Sequence, residues 1–376
     1  PEIESGADLM DLLRLGWGFR QLGARPMHEL MRILPMAFED FLNEWFESKL
    51  VKAAIAAGAL EGVCLGPRSS GTSALFLYQR LGERKLARGG AGGLSQALSK
   101  ALEARGGSIR TSSEVSRILV ENGRATGVAL ESGETLRASV VLSALAPRTT
   151  FLELGQPSDL PPSFVAEVGK IRYRGVTAKL NLAVSELPDF PSRPGKEPAA
   201  HHRALIQIGE SLDDYERAYD ASKYGKLSER PLLTAVIPSL ADRSLAPEGK
   251  HVVSVIAQYA PYRLSAGSWS STKESLTRTI VDRLAEFAPN VKGSVLHHHL
   301  WTPEDYEREF ALPEGNWHQG EMALDQMFFM RPVPGWSRYE TPIEKLYLCG
   351  AATHPGGGLT GACGFNAAQK VLKDQG

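Results

Sequence analysis

The sequence predicts an α/β plus α+β fold, and three observations carry that expectation. Two stretches, "LARGGAGGLSQALSKALEARGGSIRTSSEV" (86–115) and "LYLCGAATHPGGGLTGACGFNAAQ" (346–369), read as strand or loop, glycine turn and helix, the alternation of an α/β layer. Between them, residues 148–335 carry several runs of β-formers divided by Pro-rich and acidic connectors, with one amphipathic helix, which is the pattern of a mostly antiparallel α+β unit.

Taken in chain order, Leu9, Leu12, Leu13 and Trp17, then Leu30, Ile33, Leu34 and Phe38, fall at helical spacing, so two or three helices are expected before Gly58. The first carries Arg14, Arg20 and Arg25 among its apolar residues. Packing on its own domain and lying on a membrane surface both fit that pattern. Leu94, Leu98 and Leu102 then mark a helix ended by Gly106-Gly107. Asn122-Gly123 is a hairpin signal, because both central residues of its turn need positive φ, and a β-meander is expected up to the apolar "SVVLSALAP". Candidate strands follow in "VTAKLNLAV", "RALIQIG", "LLTAVIPS" and "HVVSVIAQYAP", with a helix in "STKESLTRTIVDRLAEFA". Thr302, Pro303 and Asp305 form the cap of a further helix.

Composition narrows the function. The 376 residues suffice for two or three domains, and 42 basic against 43 acidic residues leave no global field to draw a nucleic acid. Three cysteines without a CxxC pair argue against a disulfide framework and a dithiol centre, and fit a reducing, cytoplasmic setting. No run of 18 uncharged apolar residues occurs, and the first residues lack the basic and apolar regions of a signal peptide. Because the chain opens at Pro1 rather than methionine, processing, truncation and an incompletely recorded sequence all fit.

The glycine-rich stretch near the C-terminus carries the clearest chemistry. "KLYLCG" is a short apolar strand, "AATHPGGG" a turn without bulk, and "LTGACGFNAAQKVL" a helix with small residues in its first turn. Bare backbone there lets a ligand approach, and a helix N-terminus suits a partly anionic group. A tight packing turn would use the same glycines.

These segments, with "ILVENGRATGVALESGETLRASVVLSALAP", "QYAPY" and "LPEGNWHQGEMALDQMFFMRPVP", resemble over nearly the whole chain the phytoene desaturase-like branch of the FAD-dependent amine oxidase superfamily. They are closest to the pyridine nucleotide-disulphide oxidoreductase domain-containing protein two family. The resemblance implies an FAD-binding domain of residues 86–147 and 336–376, and a substrate domain of residues 148–335 with residues 1–85 as its helical part. It also implies that Val115 reads adenine through its main chain. Ser143 and Ala144 would lie near the adenosine half, and Gly350 and Ala351 by the pyrophosphate and ribityl chain. Gly358, Leu359 and Thr360 would bring the helix N-terminus to the pyrimidine edge of the flavin. The implied reaction is hydride transfer from an apolar substrate of isoprenoid or lipid-like type to flavin, with reoxidation by an external electron acceptor. For an animal protein the resemblance implies the mitochondrial matrix, with peripheral membrane contact left open, as is the oligomeric state.

Two departures stand out. Gly350-Ala351-Ala352 lacks the acidic residue that many relatives place there. No GxGxxG turn opening a βαβ unit precedes the resembling segments, and "GGAGG" at Gly89 to Gly93 does not replace it. An incomplete Rossmann-like FAD-binding domain is therefore expected, in a fragment that by itself binds FAD poorly. The alternative is an interaction or scaffold protein that kept the fold without turnover. His297, His298 and His299 invite a metal reading, but neighbours on a strand face opposite ways, so no metal site is expected. His318 and His354 are candidates for lining the pocket or for capping turns. Arg331 is expected to bond carbonyls, and Cys349 and Cys363 to pack. No catalytic residue is assigned.

Overall fold

Alanine spacing builds the helical block. The computed structural model describes residues 6–79, 87–195 and 197–376. Its first part is α1 (Gly6–Gln21), α2 (Ala24–Ile33), α3 (Phe38–Trp45), α4 (Lys49–Leu60) and α5 (Thr72–Gln79). Ser48 caps α4 by accepting from the Val51 amide, and Ala53, Ala56, Ala57 and Leu60 give it a slim buried side. That side meets Phe38 and Leu42 of α3 and the rings of Tyr215, Tyr219 and Tyr259. Complete burial of Phe38 and Leu42 contributes roughly 1.5–3 kcal/mol each. Of the described apolar side chains of α1, Leu13 and Trp17 are 57% and 63% exposed. The side chains of Leu9 and Leu12, and the rest of the apolar segment at 80–86, lie outside the described residues.

The second part begins with α6 (Gly90–Glu103), entered through Gly89 in the left-handed region. Three strands follow as an antiparallel sheet in the order β1-β2-β3: β1 (Val115–Glu121), β2 (Arg124–Leu130) and β3 (Thr135–Arg137). Asn122 and Gly123 both take positive φ, 51° and 76°, as the hairpin signal requires. β4 (Val141–Ser143) leaves this sheet and pairs in parallel with a strand 205 residues later in register, Val141 opposite Leu346. The leucines of α6 find no partner among the described residues: Leu98 is 64% exposed, and Leu102 is open as well.

The middle of the chain forms the antiparallel sheet the sequence anticipates. α7 (Pro162–Lys170) leads to β5 (Thr177–Val184), α8 (Ala200–Arg203), β6 (Ile206–Ile208), α9 (Leu212–Lys223), β7 (Leu232–Val236) and β8 (His251–Gln258). α10 (Trp269–Ala285), α11 (Val291–Ser294), β9 (Val295–Trp301) and α12 (Pro303–Phe310) complete it, with strand order β6-β7-β8-β5-β9. Strict alternation along β5 buries Ala178, Leu180, Leu182 and Val184 against Ile280 and Leu284 of α10. All four candidate strands form. α9 was hidden by its acidic composition, yet Ser211 caps it by accepting from the Asp214 amide, and Leu212, Tyr215, Ala218 and Tyr219 give it a buried side. Thr302 and Asp305 exchange cap bonds at α12 as expected. The chain closes with β10 (Leu346–Leu348) and α13 (Ala362–Gln375).

Candidate functional site

β4 and β10 bring two distant predicted segments together. The Cys349 amide donates to the Ser143 carbonyl at 2.9 Å, extending the parallel pair by one residue. Gly350 then lies so close to Ala144 that a Cβ at Gly350 would overlap the Ala144 carbonyl oxygen. Gln319 locks the junction, its Nε2 donating to the Ala144 carbonyl at 2.9 Å and its Oε1 accepting from the Ala352 amide at 3.3 Å. No pattern in the sequence singled out Gln319. Only its position between two strand ends gives it this role.

The turn after β10 divides into a packed half and an open half. In the packed half, Tyr78 donates to the Pro355 carbonyl, Tyr339 to the His354 carbonyl, and the Cys363 thiol lies within bonding distance of the Thr353 and Gly356 carbonyls. A Cβ at Gly356 would stand 3.2 Å from the Tyr78 hydroxyl, and one at Gly357 2.7 Å from Nδ1 of His318. The glycines at 350, 356 and 357 thus make room for the protein's own atoms. This favours the packing reading for that half.

From Gly358 onward the backbone is open. Gly358, Leu359 and Thr360 are exposed, Leu359 by 86%, and no atom lies within 4 Å of a Cβ built on Gly361 or Gly364. Leu359 holds φ at 57° and Gly361 at 72°, which turns the chain sharply into α13. Gly361 offers no side-chain cap, and Thr360 Oγ1 takes the Ala362 amide at 3.3 Å, so the remaining first-turn amides of a 14-residue helix face this opening with their partial positive charge. Val115 stands apart at the start of β1, tied to this region through the core that Ile118 shares with Leu346 and Leu348.

Arg331 ties the start of the turn, at Ala351, to the segment 318–326. It is buried, and its guanidinium donates to the carbonyls of His318, Gly320, Glu321, Gln326 and Ala351, the structural role its sequence context suggests. Burial lowers its pKa to about 10. His318 is pinned by that bond and by its amide donating to Asn316 Oδ1, while its Nδ1 has no partner. Burial first, and then the charge of Arg331, press the His318 imidazole down to about 4, so it is neutral at physiological pH. His354 shifts the same way for the same two reasons.

Elsewhere, His298 approaches Glu274 at 3.4 Å while His299 packs on Trp301, consistent with alternating faces of β9. Cys64 is buried, and its thiol is pushed up to about 11 by desolvation, which keeps it from acting as a nucleophile.

Residues 31–372 match the family model described as flavin containing amine oxidoreductase. The pyridine nucleotide-disulfide oxidoreductase domain-containing protein 2 of Rattus norvegicus is 39% identical over 380 residues, covering 97% of this chain. The chain spans 65% of that relative's length. The neurosporene-forming phytoene desaturase of Cereibacter sphaeroides is 28% identical, over 93% of this chain and 68% of its own. Among solved structures, an oxidoreductase from Methanosarcina mazei shares the fold with a TM-score of 0.59 at 20% identity, over 99% of this chain and 74% of its own. A match over residues 31–372, with the exposed helix start behind a glycine turn, makes the chain a member of the flavin containing amine oxidoreductase family.

Proposed function

We propose that this chain is the larger part of an FAD-dependent oxidoreductase that oxidises an apolar substrate. The observation that carries the reading is the exposed N-terminus of α13 beyond Gly358 and Gly361, where Thr360 Oγ1 accepts from the Ala362 amide and Gly361 supplies no side-chain cap. Held there, FAD would supply two-electron chemistry: one substrate carbon would give up a hydride and its neighbour a proton to solvent, and an external acceptor would take the electrons. Backbone groups of Gly358, Leu359 and Thr360 would contact its ring system, and the helix dipole of α13 would favour negative charge on it. Ala144, Gly350 and Ala351 would line the path toward its nucleotide half, with Val115 near the adenine. Arg331 acts at one remove, by holding the carbonyls that shape the turn. Neutral His318 supports the turn without adding a charge beside it.

The parallel pair β4–β10 and the uncovered leucines of α6 also support the view that a further polypeptide unit completes this part of the fold. A two-stranded parallel sheet is too small to be stable alone. FAD titration, followed by flavin fluorescence, tests the proposal on two proteins: the 376-residue chain, and the chain extended to the length of its relatives. Weak binding by the first and tight binding with a yellow, substrate-reducible product by the second are expected. A colourless extended protein with no affinity for FAD would sink the reading.

Peripheral membrane contact belongs to the same proposal. Met10, Leu13, Trp17, Leu22 and Met31 of the α1–α2 region are exposed, in a segment that also carries Arg14, Arg20 and Arg25. Flotation with anionic vesicles is expected to be lost when Leu13 and Trp17 are both changed to serine. Unchanged flotation would remove the contact from the proposal.

A further inference from the structure

A second opening lies away from the glycine turn, between the start of α6 and the connection from β7 to β8. It is a groove of about 700 Å³ whose wall includes Arg88, Arg203, Arg243, Asp242, Leu240 and Ser244. The three arginines come from separate stretches: Arg88 precedes the α6 entry glycine, Arg203 ends α8, and Arg243 opens a short 3₁₀ turn after β7. The tertiary structure alone gathers them.

Three arginines line the groove against one carboxylate, Asp242, whose charge offsets part of theirs, Arg88 foremost, and leaves a net positive wall. Asp242 accepts from the Gly89 amide at 2.5 Å through Oδ2, and through Oδ1 from the Ser244 amide at 3.0 Å and hydroxyl at 2.7 Å. It therefore works as a strut that fastens α6 to the β7–β8 connection. Arg203 donates one N–H to the Leu240 carbonyl at 2.9 Å, and a guanidinium has five such donors, so this bond fixes the group without exhausting it. The chain as a whole carries a formal charge of −1, so a concentration of positive charge here runs against the average. Like charges gathered around one opening repel, and an anion between them relieves the repulsion. Arginine forks also match the oxygen geometry of phosphate and accept it in bidentate fashion.

Size selects among anions. The groove falls within the range of roughly 300–1,000 Å³ typical of sites for organic ligands, far more than inorganic phosphate fills. Ala87, Leu240 and Ala241 add an apolar portion to the wall. We propose that this groove binds a phosphate or diphosphate ester, with the charged end held by Arg88, Arg203 and Arg243 and the organic part against Leu240 and its neighbours. The same chemistry occurs on soluble phosphorylated compounds and on phospholipid headgroups.

Isothermal titration calorimetry of the 376-residue chain with inorganic pyrophosphate tests the charged end directly. Saturable one-to-one binding that weakens with added salt is expected. The Arg203→Gln/Arg243→Gln double variant should bind at least tenfold more weakly, and Arg243→Lys should fall between, since it keeps charge but loses the fork. Because Arg203 also supports the Leu240 carbonyl, melting temperatures are compared. If the double variant is destabilised, the single Arg243→Gln variant, altered only at an exposed side chain, carries the comparison. Glycerol 3-phosphate in solution and vesicles of phosphatidylcholine with or without phosphatidate separate the sources: arginine-dependent binding to the first assigns a soluble ester, and to phosphatidate vesicles alone a lipid headgroup. Equal affinity in well-folded wild type and variant, or no binding of any of these probes at millimolar phosphate, overturns the proposal.

Discussion

The imidazole of His318 fills the volume that a side chain at Gly357 would need, with Nδ1 2.7 Å from the position of an ideal Cβ. Gly357→Ala should therefore displace a ring whose backbone is fixed by Asn316 and Arg331, at a cost of about 1–3 kcal/mol. Gly364, seven residues on, is helical and meets nothing within 4 Å, so Gly364→Ala should stabilise by about 0.5–1 kcal/mol. Urea denaturation of the two variants checks both signs. Equal effects would mean that the turn is not divided as described.

Acid sensitivity should trace to the same histidine. His318 is held near 4 in the folded chain, against about 6.5 when unfolded. Between those values the unfolded chain binds a proton that the native imidazole refuses. Its contribution is therefore complete above pH 6.5 and is lost as pH falls toward 4, by up to about 3 kcal/mol. His318→Gln should flatten the stability profile across that window. A profile identical to wild type would show that the acid loss originates elsewhere.

Arg331→Met should be far more damaging than its apolar surroundings suggest. The change strands five carbonyls at once, those of His318, Gly320, Glu321, Gln326 and Ala351, with an expected loss on the order of 3 kcal/mol or more. Arg331→Lys should not restore stability, because one ammonium cannot reach carbonyls spread around a planar fork. Thermal melts of both variants measure this. Recovery by lysine would contradict the geometry.

Leu359 is an exposed leucine in the left-handed region, a conformation that costs L-residues about 1 kcal/mol or more. Leu359→Gly should relieve that strain and raise stability by about 0.5–1 kcal/mol. If Leu359 contacts the flavin as proposed, the same variant should bind FAD more weakly. Weaker FAD binding with higher stability is the expected pair of results, and unchanged affinity would remove Leu359 from the contact.

Much of this was legible from residue pattern. Alternation marked β5, Asn122-Gly123 marked the β1–β2 hairpin, and Thr302 with Asp305 marked the start of α12. α9 escaped because its exposed acidic residues dominate its composition, while the three histidines were read on a strand, but the extent of β9 and its place at the sheet edge were not. The glycine turn was located by its bare backbone, but composition could not divide it. That division needs the positions of Tyr78, His318 and Ala144, which reach the turn from remote parts of the chain.

By itself the sequence determined which segments become helix or strand, and that a strand, a glycine turn and a helix stand near the C-terminus, since these follow from local periodicity, caps and φ preferences. Only the tertiary structure decided that β4 meets β10, that Gln319 bridges Ala144 and Ala352, and that Arg88, Arg203 and Arg243 share one groove. Such contacts join residues far apart along the chain, and they are set by packing and hydrogen-bond satisfaction across the whole molecule rather than by any local pattern.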